Sequence, residues 1–325
     1  MAALEHGWVD LLSPTAANLL ADCMEKPGLV TPTGLPRLDS EVFMWGDRRG
    51  IPQGSYVIIG GASNVGKTQF GLHLMRQAHR TRQQACLISL DMKTRDVVGR
   101  FHQAFCREIP RSEWRPSKWR KEYRDVLKAA LMDYNLEHEG RGGLHVYHGN
   151  YPELEDVCTI IRHAAAWPLD LRATFFVIDH LQKIKVHGVK DVMDRAEMVS
   201  SSLDALADEL DVTIVGLSQL NRQASRETDR RPTMFDLWGG TAMESNAAFV
   251  IMLDHSRYEM DRDHHHLGRT FVLLEKNQMG PKNFEVPVIW NHAELSITEG
   301  LPDELEDWPG QDKKKKPTTT RRHDR

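Results

Sequence analysis

The sequence predicts an α/β protein with a mainly parallel central sheet, helices on both faces and an antiparallel extension at one edge. Three observations predict it. Short apolar runs without polar alternation (YVII, ACLISL, TFFVID, VTIVGL) have the composition of strands buried on both faces, as in parallel sheets. Helical segments separate these runs, giving the β-α-β alternation of a doubly wound fold. Beyond residue 249 the helices give way to strand-like runs joined by polar turns, the pattern of an added antiparallel edge.

Everything is arranged around Tyr56–Gln69, YVIIGGASNVGKTQ, where an apolar strand meets Gly61, Gly66, Lys67 and Thr68 at the spacing GxxxxGK[ST]. Glycines let the loop turn so that its backbone N–H groups converge on a phosphate, and the helix that follows presents its positive end to a polyanion. Gly61, Ala62, Ser63, Asn64, Val65, Gly66, Lys67, Thr68 and Gln69 are therefore the candidate nucleotide-binding residues. The Lys67 ammonium is placed to reach the β- and γ-phosphates and the Thr68 hydroxyl to ligate Mg²⁺.

Composition sets outer bounds. The 325 residues are 40% hydrophobic and 27% charged, fitting one large globular domain with appendages. No apolar run has membrane-spanning length, and the start MAALEHGWVD lacks a basic region followed by an apolar one, so the expectation is a cytosolic protein with no membrane partner. Cys23, Cys86, Cys106 and Cys158 are isolated, which argues against a zinc site or a disulfide framework. His264–His266 fall in the polar stretch RYEMDRDHHHLGR and read as a solvated hairpin loop, since adjacent loop residues converge poorly on one ion. The net charge is −4, yet the last 13 residues carry +6; a Lys, Pro, Thr and Arg tail lacks the apolar residues to build a core, and either holds nucleic acid non-specifically or keeps the protein soluble.

In chain order, residues 1–36 form an arm in which Leu11, Leu19, Leu20 and Met24 recur at helical spacing, followed by the turn-rich PGLVTPTGLPRLD. Such a helix needs something to pack on, its own core or a neighbouring subunit. Residues 37–299 are the main domain and 300–325 the tail. DRRGIPQG is a polar turn into the first core strand. After the phosphate loop a helix is expected over Lys67–Gln83, then a strand over Ala85–Leu90 ending on Asp91. A carboxylate at that strand end is either the group that orients an attacking water or the N-cap of a helix starting at Thr94. Residues 94–137 read as two helices broken near Pro110, the second mixing Trp114 and Trp119 with Arg and Lys; that is either an amphipathic face with solvated charges or a nucleic-acid contact.

A strand Leu144–Tyr147, a helix from about Pro152 to Trp167 and the strand Phe175–Ile178 follow, with Asp179 at the carboxyl end where P-loop ATPases keep the acid of the Mg²⁺ shell. A helix from about Asp191 to Asp211 leads to VTIVGLSQL, ending in Gln219, a neutral amide placed to feel the γ-phosphate and pass its presence onward. Beyond it lies the long basic loop NRQASRETDRRPTMFDLWGG, whose Arg222, Arg226, Arg230 and Arg231 are candidates for contact with a polyanion. Three strands, Phe249–Leu253, Thr270–Leu274 and Phe284–Ile289, are expected to be antiparallel and hairpin-linked, KNQMGPK being the last turn.

The ordered set GASNVGKT, SLDM, VIDHLQ, SLDALADELDV, LSQLNR, RRPTMFDL and KNQMGP resembles the motor domain of the replicative hexameric helicase family typified by DnaB, over about residues 30–295. The resemblance implies a RecA-like fold and a homohexameric ring with ATP between neighbours and single-stranded DNA through the centre. By that resemblance Lys67 and Thr68 bind phosphate and Mg²⁺, Asp179 is the Walker B acid, Gln219 couples nucleotide to the DNA loop, and the arm before residue 36 is similar to the linker that docks on the adjacent subunit. The DNA-loop positions fall on DLWGGTAME, making Trp238, Gly239 and Gly240 candidates alongside the arginines, Trp238 either stacking on a base or anchoring the loop by packing. Primase and loader are implied partners, and 5′ to 3′ the implied polarity.

Departures from the family pattern are specific. Asp91 stands where the family has Glu, one methylene longer. Gln278 holds the family's trans-acting arginine position, leaving Lys276 as the cation offered to a neighbour, with Arg257 or Arg269 as substitutes. An arginine finger contributes on the order of 10³ to 10⁵ in rate, so a slow ATPase is expected. Trp238 and Gly239 replace a basic and an acidic residue, and the resemblance does not extend to the family's N-terminal domain. The function implied is ATP-dependent helicase action during DNA replication; the alternatives are a RecA-like ATPase that binds single-stranded DNA as a recombination or replication accessory, and a ring component that binds ATP without hydrolysing it.

Overall fold

The computed structural model describes residues 29–42, 44–45, 48–103, 106, 109, 113, 120–137, 142–149, 152–168, 171–221, 223–224, 231–254, 267–291 and 296–300. Its frame is a sheet of nine strands: β1 (Tyr56–Gly61), β2 (Gln84–Ser89), β3 (Leu144–His148), β4 (Ala173–Asp179), β5 (Thr213–Gln219), β6 (Phe249–Asp254), β7 (Leu267–Asn277), β8 (Phe284–Asn291) and β9 (Ser296–Glu299). They lie in the order β9-β8-β7-β6-β1-β5-β4-β2-β3. From β6 to β3 every pairing is parallel; β7, β8 and β9 add on antiparallel.

Among the described residues the α-helices are α1 (Pro36–Val42), α2 (Lys67–Arg80), α3 (Thr94–Gln103), α4 (Tyr123–Glu137), α5 (Leu154–Ala165), α6 (Val192–Leu210) and the short α7 (Thr241–Asn246). Successive strand residues point to opposite faces, and the core divides accordingly. Tyr56, Ile58, Phe176, Ile178, Ile214 and Met252 pack on one side with Val157 and Ile161 of α5 and Val199 and Leu203 of α6. Val57, Ile59, Phe175, Val177, Val215 and Ile251 pack on the other with Phe70, Leu74 and Met75 of α2. This explains why β1, β4 and β5 read as unbroken apolar runs: both faces are covered.

Helix ends follow local chemistry. Asp191 accepts from the Met193 and Asp194 amides at 2.7 and 3.1 Å, capping α6. A reciprocal box of Glu153 and Asp156 starts α5. α2 stops at Arg80, short of the expected Gln83, with Arg82 at φ 65° turning the chain into β2.

Some expectations change. β6 is parallel to β1, not antiparallel, because the connection from β5 spans residues 220–248, long enough for a crossover; β7, β8 and β9 then add antiparallel in sequence order. A fourth late strand, β9, is present. The second helix of the 94–137 region begins at Tyr123 among the described residues. The segment read as turn-rich contains α1, with Pro36 at its first position, and Asp39 accepts from the Thr33 and Gly34 amides at 2.5 and 3.2 Å. Leu35 and Leu38 are fully buried, and Val30–Thr31 pairs with Ile51–Pro52, so the chain from Val30 onward is folded into the same body as the sheet. The helical spacing at Leu11–Met24, Trp114 and Trp119, the histidine run and the basic tail lie outside the described residues.

Candidate active site

Register brings the candidate groups together. Gly61 at the end of β1 pairs with Gln219 at the end of β5; Asp179 at the end of β4 pairs with Leu217 on one side and Ser89 of β2 on the other. Four parallel strands thus release their chain at one sheet edge, where open α/β folds place ligands.

The phosphate loop is built on positive φ values at Gly61 (155°), Asn64 (65°) and Gly66 (103°). Ala62, Ser63 and Asn64 form its exposed rim and Val65 its buried side, with Gln69 half-buried in the first turn of α2. Two close approaches demand the glycines: a Cβ at Gly61 would stand 2.8 Å from Val65 Cγ1, and one at Gly66 2.7 Å from Trp290 Cη2. Lys67 is buried, and its Nζ donates to the carbonyls of Gly61 at 2.8 Å and Ala62 at 2.7 Å, which folds the ammonium over the mouth of the loop. Burial pushes its pKa down to about 8, opposed by the Asp179 carboxylate.

Thr68 Oγ1 donates to Asp179 Oδ2 at 2.7 Å. Asp179 is 4% exposed, and burial raises its pKa while the Thr68 hydrogen bond lowers it. A buried carboxylate beside a hydroxyl at the foot of a phosphate loop is a hard-oxygen donor set of the kind Mg²⁺ takes, so Thr68 and Asp179 fit the ion the loop implies. His180 Nδ1 stands 3.8 Å from Asp179 Oδ1, and burial lowers the imidazole pKa.

Asp91 sits just past β2. The Lys93 carbonyl accepts the first amides of α3, from Asp96 and Val97, so Lys93 is the cap residue and Asp91 lies outside that position. Its carboxylate is half-exposed and meets Lys183 Nζ at 3.0 Å.

Gln219 marks where the sheet hands over to the loop. Its carbonyl accepts from the Trp238 amide at 3.0 Å and from Gln182 Nε2 at 3.2 Å, and the Asn221 amide donates to the Asp236 carbonyl at 2.7 Å. The end of β5 is thereby zipped to the segment Asp236–Trp238, which the Thr233 and Asp236 capping box holds in a tight turn. Trp238 packs partly buried against the core, with the Arg195 guanidinium 5.2 Å from its ring centroid. Gly239 has φ 78°, and a Cβ there would collide with the Ala196 Cβ on α6; Gly240, φ 52°, starts α7.

Arg231 is engaged by strand residues: it meets Asp254 Oδ2 at 3.7 Å, pairs with Glu285 and lies 5.1 Å from the Phe271 ring centroid. Arg222, Arg226, Arg230 and Arg257 lie outside the described residues, as does the side chain of Arg269.

Residues 31–297 match the family model described as the DnaB-like helicase C-terminal domain. The chain belongs to this family. The replicative DNA helicase DnaB of Geobacillus stearothermophilus is 28% identical over 255 residues, covering 77% of this chain and 52% of that protein. DnaB of Helicobacter pylori strain J99 is 26% identical over 251 residues, 73% of this chain and 46% of that protein. The chain thus spans about half the length of the curated relatives it matches. Among solved structures, one ATPase domain superposes with a TM-score of 0.72 at 19% identity, covering 88% of this chain and 98% of that one. A DnaB-like replicative helicase studied with primase gives 0.70 at 19% identity, covering 89% and 68%.

The KNQMGP turn of this DnaB-like chain, with Lys276 and the departure Gln278, lies at the far end of the sheet. Lys276 of β7 pairs with Val250 of β6, whereas Leu253 is the residue beside Gly61; three residues of strand separate them, about 10 Å. Lys276 is therefore set well back from its own phosphate loop, and its Nζ donates to the Glu244 and Ser245 carbonyls at 2.8 and 3.1 Å, capping α7. Gln278 Nε2 donates to the Ala247 carbonyl at 3.4 Å.

Two residues escaped the sequence reading. Trp290 closes the back of the phosphate loop from β8, and nothing in NFEVPVIWN says which strand the ring faces. Lys183 was visible as the last residue of HLQK, but its partner Asp91 comes from another strand.

Proposed function

We propose that this chain is the ATP-hydrolysing motor of a DnaB-type ring helicase that translocates on single-stranded DNA during replication. The observation that carries the reading is the Gln219 carbonyl bonded to the Trp238 amide at 3.0 Å: the strand ending beside the phosphate loop is wired directly to the candidate DNA loop.

In this reading the loop amides and Lys67 bind the phosphates, and Thr68 and Asp179 hold Mg²⁺, which when bound neutralises charge on the phosphate oxygens. Asp91 orients the water and accepts its proton as the water oxygen bonds to the γ-phosphorus and the bond to the bridging oxygen breaks, releasing ADP. Lys276, set back along the strand from its own loop, serves the nucleotide of a neighbour in a homohexamer. Gln219 passes the state of the γ-phosphate to residues 222–240, where Arg222, Arg226 and Arg230 contact the phosphate backbone while Trp238, Gly239 and Gly240 seat the loop on α6. Arg231, held by acidic partners, steadies the loop base. Single-stranded DNA, further copies of the chain, primase and a loader are the partners this reading implies.

The test is strand separation of a forked duplex by the purified chain with ATP and Mg²⁺, with Lys67→Ala beside it. Unwinding lost in the variant is expected. Binding of single strands with ATP but no unwinding would favour a switch-type accessory ATPase, the reading that Gln278, in the arginine position and bonded within its own chain, supports.

A further inference from the structure

Lys183 belongs to no motif used above, yet it enters the active site. It ends the 3₁₀ turn Leu181–Lys183 that follows Asp179 and His180. The turn is pinned at both ends. Leu181 is fully buried over Gly216 of β5, where a Cβ would stand 2.6 Å from its Cδ1; Lys185 exchanges backbone hydrogen bonds with Pro152 and Leu154 at 3.0 and 2.8 Å. Gln182 in the same turn donates to Ser218 Oγ and to the Gln219 carbonyl. A rigid turn thus presents Gln182 toward β5 and Lys183 toward the end of β2, where its Nζ meets Asp91 Oδ1 at 3.0 Å.

We infer that Lys183 is a positioning residue for hydrolysis: it holds one carboxylate oxygen of Asp91 and leaves the other to direct the water. The chemistry fits the departure at residue 91. An aspartate is one methylene short of the glutamate the family uses and, half-exposed, would sample several rotamers. A lysine on a pinned turn fixes one of them. Side-chain exposures of 26% for Lys183 and 48% for Asp91 mean that the pair adds little to stability, so its effect falls on the reaction rather than on the fold.

The inference rests on Asp91 being the water-orienting group, and the experiment separates the two. Steady-state ATPase kinetics are measured for the wild type, Lys183→Met, Lys183→Arg, Asp91→Asn and the double variant Asp91→Asn with Lys183→Met, each checked for an unchanged unfolding midpoint. Loss of a proton-handling group costs typically 10² to 10⁴ in rate, and loosening one costs less, so Lys183→Met is expected to lower kcat about tenfold with KM for ATP unchanged. Lys183→Arg retains most of the rate. The double variant matches Asp91→Asn alone, because Lys183 has nothing left to position. If Asp91→Asn is harmless, the Asp91 assignment fails and the inference with it. If Asp91→Asn is severe while Lys183→Met stays within about twofold, raises the rate, or multiplies with Asp91→Asn, Lys183 does not act through Asp91 and the inference is overturned.

Discussion

Gly66→Ala tests how tightly the phosphate loop is held from behind. Gly66 has φ 103°, a region that L-residues avoid, and its new Cβ would stand 2.7 Å from Cη2 and 3.1 Å from Cζ2 and Cζ3 of Trp290. The backbone conformation costs roughly 1–2 kcal/mol. Trp290 is 2% exposed, so the overlap falls inside the packed core and adds roughly 1–3 kcal/mol. A total of about 2–5 kcal/mol is expected in urea unfolding of the nucleotide-free protein. The two terms separate in a double-mutant cycle with Trp290→Phe, a smaller ring that withdraws from the loop. Gly66→Ala in that background recovers the overlap term and keeps the backbone term, a coupling of about 1–3 kcal/mol. Affinity for ATP, followed with a fluorescent analogue, falls at least tenfold in the single variant, about 1.4 kcal/mol, and partly recovers in the double. Additivity within about 0.5 kcal/mol would show that Trp290 does not brace the loop.

Burial elsewhere in the molecule is equally testable. His73, buried on α2 with Nε2 2.8 Å from the Thr33 carbonyl, has its pKa pushed down to about 4 by burial. The unfolded chain takes up that proton first, so stability is full above about pH 6.5 and falls between there and pH 4 by about 3 kcal/mol; a pH series of urea midpoints that is no steeper for the wild type than for His73→Gln would contradict this. Burial pushes the Cys86 thiol up to about 12, so native protein at neutral pH is expected to leave Cys86 unalkylated by iodoacetamide, and prompt labelling there, read by mass spectrometry, would count against its placement in the core. Asp191→Ala removes the cap of α6 and costs about 1 kcal/mol in thermal unfolding, while ATP hydrolysis at a temperature well below the transition is unchanged; a large loss of turnover would mean that the start of α6 takes part in the site.

The parallel core was legible because strands covered on both faces leave no polar alternation to misread, and because the Gly61–Thr68 spacing requires a strand before it and a helix after it. The ends of those strands were legible too: Asp179 directly follows the apolar run Phe175–Ile178, and Gln219 follows VTIVGL after the single polar residue Ser218. Strand direction was not. Phe249–Asp254 has the same composition whether it pairs parallel or antiparallel, and its orientation is decided by the length of the crossover that delivers it. β9 is four residues long and gave no periodic signal. Within the site, side-chain partnerships across strands escaped detection, since Lys183 with Asp91 and Trp290 with Gly66 are contacts between segments whose proximity is a property of the sheet order. The Arg195 guanidinium over the Trp238 ring and the core packing beneath it were likewise not legible, since α6 and the loop are brought together only by the fold.

The central claim, that the phosphate site and the DNA loop are coupled through Gln219, is tested most directly by the ATP hydrolysis rate of the purified protein with and without single-stranded DNA, with Lys67→Ala as the control. Strong stimulation by DNA, absent in the control, is the predicted result. A rate equally low in both conditions while nucleotide still binds would contradict the coupling and leave the chain a nucleotide-binding member of the family without motor action.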